Sequence, residues 1–202
     1  MRLPAPPATE PRATQSEFKR GTVDKDEVLD FWFGAAMEKR WFDATPALDA
    51  QIRERFEPTW MQAAGGVLDG WRDDPDGALA LAIVLDQFPL NMYRGQARSF
   101  ATLAQAITVT RHAVAHGLDN RLEASRVAFL YMPLMHSEDL ADQDESVRLF
   151  EAAGLQSNAR FARHHRALIR RFGRFPHRNA ILGRLSSDEE IRYLASKEAF
   201  LG

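Results

Sequence analysis

Along most of the chain, apolar residues recur at three- and four-residue spacing, the signature of helices that bury one face. Leu48, Ile52 and Phe56 mark such a face in a segment opened by Thr45-Pro46 and stopped by Gly65-Gly66, and Pro58 within it predicts a kink. Asp24 with Glu27 three residues on predicts a capping box for a helix that runs to Gly34. Asp74-Pro75 opens a helix expected to end near Phe88-Pro89. Further helices are expected over about 99–116, 122–135, 138–153 and 158–172, and Ser186 with Glu189 predicts a second capping box for a last helix that reaches the C-terminus. The one competing strand signal, Ile107-Thr108-Val109-Thr110, is overridden by the helical spacing of Phe100, Leu103, Ala104, Ile107 and Val114 around it.

Two segments, residues 78–85 and 127–135, have no polar face and are expected at the centre of the fold. The pattern therefore predicts an all-α array of about eight antiparallel helices with two central apolar helices. Residues 1–22 hold Pro4, Pro6, Pro7 and Pro11 and hardly any large apolar side chains, so they are expected as a disordered N-terminal tail before a single all-α domain over 23–202.

Composition supports this reading: 30 Ala and 21 Leu stand against 8 Val and 6 Ile, a balance that favours helix over sheet. With 202 residues a single core is large enough to be stable without staples. The absence of cysteine excludes disulfides and thiolate chemistry. A net charge of −2 argues against nucleic-acid binding by bulk electrostatics. No apolar run has the length of a secretory signal or a membrane span, so the expectation is a cytoplasmic protein with no membrane association.

The functional side chains gather in three segments, 86–94, 136–139 and 173–179, each beginning where a strongly apolar helix is expected to stop. If alternate helices of the array are parallel, these segments share one side of the molecule. The candidate ligand-binding residues are Asp86, Gln87, Asn91, Arg94, His136, Glu138, Arg174, His177, Arg178 and Asn179, with His136 and His177 as acid–base candidates. Asp86 follows eight apolar residues, so burial is expected, and Arg94, Arg174 or Arg178 is the expected ion-pair partner. Elsewhere, residues 138–151 hold six acids and one Arg, whereas 152–187 hold eight Arg and no acid. The stripe Arg163, Arg166 and Arg170, opposite an apolar face of Phe161, His165, Leu168 and Phe172, reads as a solvated surface answered by the acidic helix beside it. No metal-binding spacing, nucleophile elbow or phosphate-binding loop is present, so no metal site and no cofactor is expected.

The phrases Val28-Leu29-Asp30-Phe31-Trp32-Phe33-Gly34, Leu85-Asp86-Gln87-Phe88-Pro89, Tyr131-Met132-Pro133-Leu134-Met135-His136-Ser137-Glu138-Asp139 and Arg171-Phe172-Gly173-Arg174-Phe175-Pro176-His177-Arg178-Asn179, with Leu182-Gly183-Arg184 just beyond, resemble those of the bacterial domain-of-unknown-function 924 family. The resemblance runs from about residue 24 to the end. It implies an all-α fold of the tetratricopeptide-like superfamily and no established activity. The chain departs from the family pattern at Leu90, where an Arg is usual after Phe-Pro, and near Leu103, where an Asp is usual.

Two kinds of function fit these residues. One is a polar Asp/His/Arg pocket for a small anionic ligand, a carboxylate or phosphate, held by Arg174 and Arg178 with His136 or His177 as acid or base. The alternative is a tetratricopeptide-like module that binds a peptide or protein without catalysis.

Overall fold

The computed structural model describes residues 23–41, 43 and 45–200. The expected tail, residues 1–22, lies outside them. The described chain is helical without strands, in the order α1 Lys25–Trp32, α2 Ala35–Glu38, α3 Pro46–Ala64, α4 Pro75–Ala82, α5 Phe88–Met92, α6 Leu103–Ala115, α7 Ala124–Met135, α8 Leu140–Ala152, α9 Gln156–Phe172 and α10 Asp188–Leu194. Short 3-10 turns at Asp69–Asp73, Ala97–Phe100, Asp119–Arg121 and Pro176–Arg178 join several of them.

The expected start signals operate where local chemistry specifies them. Asp24 accepts from Glu27 N–H while Glu27 reaches back to Asp24 N–H, closing the capping box of α1. Thr45 and Asp74 cap α3 and α4 through Leu48 N–H and Gly77 N–H. The last capping box is Ser187 with Glu190, one residue later than expected, and α10 ends at Leu194 rather than at the C-terminus. Helix α3 continues through Pro58 as far as Ala64. Gly77 has a steric reason to be glycine, since a Cβ there would stand 2.1 Å from Trp71 O, where the Asp69–Asp73 turn lies against α4.

The central rod departs from expectation. It does not stop at Phe88-Pro89: α4 continues through a π turn, Ile83–Gln87, into α5. Proline has no N–H to offer the carbonyl four residues back, which for Pro89 is Leu85 O. That carbonyl instead accepts from Thr102 Oγ1 at 2.5 Å, and Thr102 Oγ1 in turn accepts from Trp60 Nε1 at 3.0 Å. All three residues are buried.

This rod packs on α1, α3, α6 and α7, and α7 then packs on α8 and α9, so the two apolar segments are central as expected. Every residue from Ala78 to Asp86 and from Val127 to Met135 is buried. An aromatic cluster of Trp32, Phe56, Phe88 and Phe129 fixes the rod against its neighbours, with Phe56 and Phe88 stacked at 4.4 Å. On α9 the buried face is Ala159, Ala162, His165, Leu168 and Ile169. Phe161, expected on that face, is exposed. The arginine stripe is answered by α8, with Arg163 on Glu151 and both Arg166 and Arg170 on Asp144. No helix of the described residues is long and apolar enough to cross a membrane.

Candidate functional site

The π turn sets the position of Asp86. A wide turn inserts one extra residue into the helix and rotates the residues beyond it by about 100°. Asp86, 3% exposed, and the buried Gln87 fall inside this turn, in the middle of the rod. Gln87 Nε2 donates to Asp86 Oδ2 at 2.5 Å.

His136 closes α7, its N–H donating to Met132 O. Its Nδ1 stands 2.8 Å from Asp86 Oδ1 and 3.0 Å from Oδ2. An ionised carboxylate can only accept, so this geometry puts the imidazole proton on Nδ1 and leaves Nε2 as the reactive nitrogen. The ring is 18% exposed, and Nε2 has no hydrogen-bond partner among the described residues.

The third segment arrives after α9, which ends at Gly173 with φ 70°, the left-handed stop that turns the chain back. Arg178 Nη1 donates to His136 O at 2.9 Å. Its guanidinium lies 4.5 Å from both the Phe100 and Phe175 ring centroids. Arg178 is 6% exposed, its Nε has no hydrogen-bond partner, and no carboxylate among the described residues lies within ion-pair distance. Burial pulls its pKa down to about 10, against the field of Glu138 and Asp86, so it remains a cation at neutral pH.

Glu138 binds the same loop from below. Its carboxylate takes Arg184 in a two-pronged pair at 2.6 and 2.9 Å and accepts Phe175 N–H at 2.8 Å. Burial works against its charge, but these donors hold the carboxyl below its usual range. Asn179 donates to Ser186 Oγ, while its buried Oδ1 accepts nothing from the described residues. His177 packs its ring beside Phe175 and Phe200, with Nδ1 buried and without a partner among the described residues, and burial pushes its pKa down to about 4. It is therefore a neutral, packed ring at neutral pH.

The structure thus brings Asp86, Gln87, His136, Glu138 and Arg178 together with His177, from all three segments, whereas the Asn179 side chain turns to Ser186 and Glu190, beside Arg174. Arg94 and Arg174 serve elsewhere, and Asn91 supports the site only from behind, its Nδ2 donating to Gln87 O at 2.9 Å. Arg94 pairs with Asp49 at 2.8 Å and also meets Asn91 Oδ1 at 3.1 Å. Arg174 holds Glu190 through two bonds at 2.7 and 2.9 Å. The expected Asp86–arginine pair is replaced by Asp86–His136, because His136 lies between Asp86 and Arg178 and meets one through its ring and the other through its carbonyl. Phe100, Phe175 and Arg184, which sequence spacing does not mark as site residues, complete the assembly, although Phe175 and Arg184 stand in the phrases that carry the family resemblance. Among the described residues, no three His, Cys, Asp or Glu side chains gather as they would around a metal ion.

Residues 28–198 match the family described as a bacterial protein of unknown function, DUF924. No curated protein matches the chain. The solved structure of a protein of unknown function from Agrobacterium tumefaciens is 37% identical, with a TM-score of 0.81, over 85% of this chain and 96% of that one.

Proposed function

The chain belongs to the bacterial DUF924 family, for which the matching description gives no activity, and on that premise we propose that it binds a small anionic ligand, a carboxylate or a phosphate, between Arg178 and His136. The observation that carries this reading is Arg178: a guanidinium 6% exposed, with no carboxylate in ion-pair distance and no partner for its Nε among the described residues. A buried charge without a counterion is costly, and a bound anion would remove that cost. His136 supports the same reading. Asp86 fixes its Nδ1, so Nε2 is free either to donate to a bound oxyanion or to exchange a proton with it. Arg174, included in the sequence-based reading, is committed to Glu190, and His177 is a packed neutral ring, so Arg178 and His136 are the working pair.

The test is calorimetric titration of inorganic phosphate and of succinate into wild-type protein and into Arg178→Met and His136→Gln. Saturable anion binding is expected in the wild type and should weaken about ten- to hundredfold in Arg178→Met, the value of charge-assisted hydrogen bonds. A control at the exposed stripe, Arg163→Met, should leave it unchanged. If no anion binds the wild type, or if Arg178→Met binds as tightly, Arg178 is only a brace between helix ends and the peptide-binding, tetratricopeptide-like reading takes precedence.

A further inference from the structure

At the end of α7 remote from His136, a cleft of about 420 Å³ opens between the Asp119–Arg121 turn, the first turns of α7 and the end of α8. That volume falls within the range of small-molecule sites, about 300 to 1,000 Å³. One wall is apolar, with Val114, Leu122, Val127 and Leu149, and the polar groups are Asp119, Asn120, Tyr131 and Arg148.

The carboxylate that lines this cleft, Asp119, is 7% exposed and has no ion-pair partner among the described residues. Its Oδ2 accepts the Tyr131 hydroxyl at 2.7 Å. Its Oδ1 has only the Asn120 amide, at a long 3.4 Å. Arg148, the cation lining the cleft, is held by Glu145 in a two-pronged pair at 2.7 and 2.6 Å and reaches Asp119 only through its field, without a hydrogen bond. Tyr131 keeps its proton, since burial and the neighbouring Asp119 raise its pKa, and so it donates to the carboxylate rather than competing with it. A buried carboxylate needs charge compensation or several strong donors, and the protein supplies one good donor and one weak one.

We propose that this cleft is a second binding site, which takes a small primary ammonium carried on an apolar body, the ammonium on Asp119 Oδ1 and the body along Val127 and Leu149. The proposal is independent of the anion reading at Arg178, since the two sites have opposite charge preference and lie at opposite ends of α7.

The experiment tracks amide shifts in two-dimensional NMR while n-pentylamine is added to the full chain, with n-pentanol as the neutral counterpart. Expected are saturable shifts centred on residues 119–131 and 148–153, and binding of the alcohol about ten- to hundredfold weaker. Asp119→Asn keeps an acceptor for Tyr131 and removes the charge, so it should lose amine binding by a similar factor. Ala153→Trp fills the cleft from an exposed helix-end position, replacing no buried residue, and should abolish binding even if Asp119→Asn does not fold. Equal affinity for amine and alcohol, full amine affinity in Ala153→Trp, or no saturable shift in the wild type would each overturn the proposal.

Discussion

Asp86 is the residue on which the candidate site turns. A buried carboxylate has to be met by donors, and Asp86 is met by Gln87 Nε2 and His136 Nδ1 rather than by a guanidinium. Asp86→Ala strands both donors, and the expected loss of stability in urea denaturation is about 1–3 kcal/mol, the cost of leaving buried polar groups unsatisfied. The His136 imidazole should also lose its fixed tautomer, visible in the ¹⁵N shifts of the ring. A loss of less than about 0.5 kcal/mol with an unchanged tautomer would mean that the pair does not hold the ring, since that is the range of surface substitutions with no structural role. The sequence points to Asp86 and His136 because each follows an apolar helical run, where a charged side chain requires an explanation, and to Arg178 because it stands in a dense polar segment after α9, an arginine-rich helix with a narrow apolar face. It does not specify their pairing, since which donor faces Asp86 depends on a rotation within the rod that no spacing rule encodes. Asp119 is illegible for a related reason: nothing in its neighbourhood along the chain signals burial, which arises from packing against α7.

At the scale of elements, the rod shows how a proline can be absorbed. The chain reads as stopping at Phe88-Pro89 because Pro89 leaves Leu85 O without its helical donor, and that reading fails because Thr102, thirteen residues beyond Pro89, supplies one. Thr102 also receives Trp60 Nε1–H, so one hydroxyl satisfies a carbonyl and an indole in the core. Thr102→Val keeps the shape and removes the hydroxyl, leaving two buried groups unpaired. The expected cost is about 2–6 kcal/mol, twice that of a single unsatisfied group, and thermal or urea denaturation measures it. If Thr102→Val were neutral, the helix would continue through Pro89 without needing this bond. Caps are legible because their chemistry is local: Asp24, Thr45 and Asp74 each bond an N–H three residues on. The continuation past Pro89 is not, because its donor is remote in sequence and reaches the rod only once α6 has packed.

For the molecule as a whole, the meeting of three segments distant in sequence is legible but its cause is not: His136 and the Arg178 loop follow the ends of α7 and α9, whereas Asp86 stands within the continuous rod of α4, the π turn and α5, which does not end there. The same convergence buries two imidazoles, and this makes stability depend on pH. Burial pushes the pKa of His165 down to about 3 and that of His177 to about 4, from an ordinary 6.5. His165 Nδ1 donates to Phe161 O, and both rings lie among Phe175 and Phe200. Below pH 6.5 the unfolded chain protonates both rings while the folded chain protonates neither, so the unfolded state binds more protons and stability must fall as the pH falls. The loss accumulates from pH 6.5 down to about 4 for His177 and about 3 for His165. His112, depressed chiefly by its own desolvation and then by His116 and Arg72, adds with the same sign. The carboxylates held low by arginines, Glu138 and Glu190, act in a lower window: Glu190, brought to about 2 chiefly by Arg174, loses its contribution only as the pH falls from 4.5 towards 2. Between pH 6.5 and 4.5 the buried histidines therefore dominate, and urea denaturation across that interval should show stability falling by up to about 1.4 kcal/mol per pH unit for each ring. His177→Asn removes one titrating group, and should flatten the slope by up to about that amount while leaving the fall below pH 4.5 in place. A slope in His177→Asn equal to that of the wild type would mean that the ring already exchanges its proton freely in the folded protein, and would remove it from the packed interior.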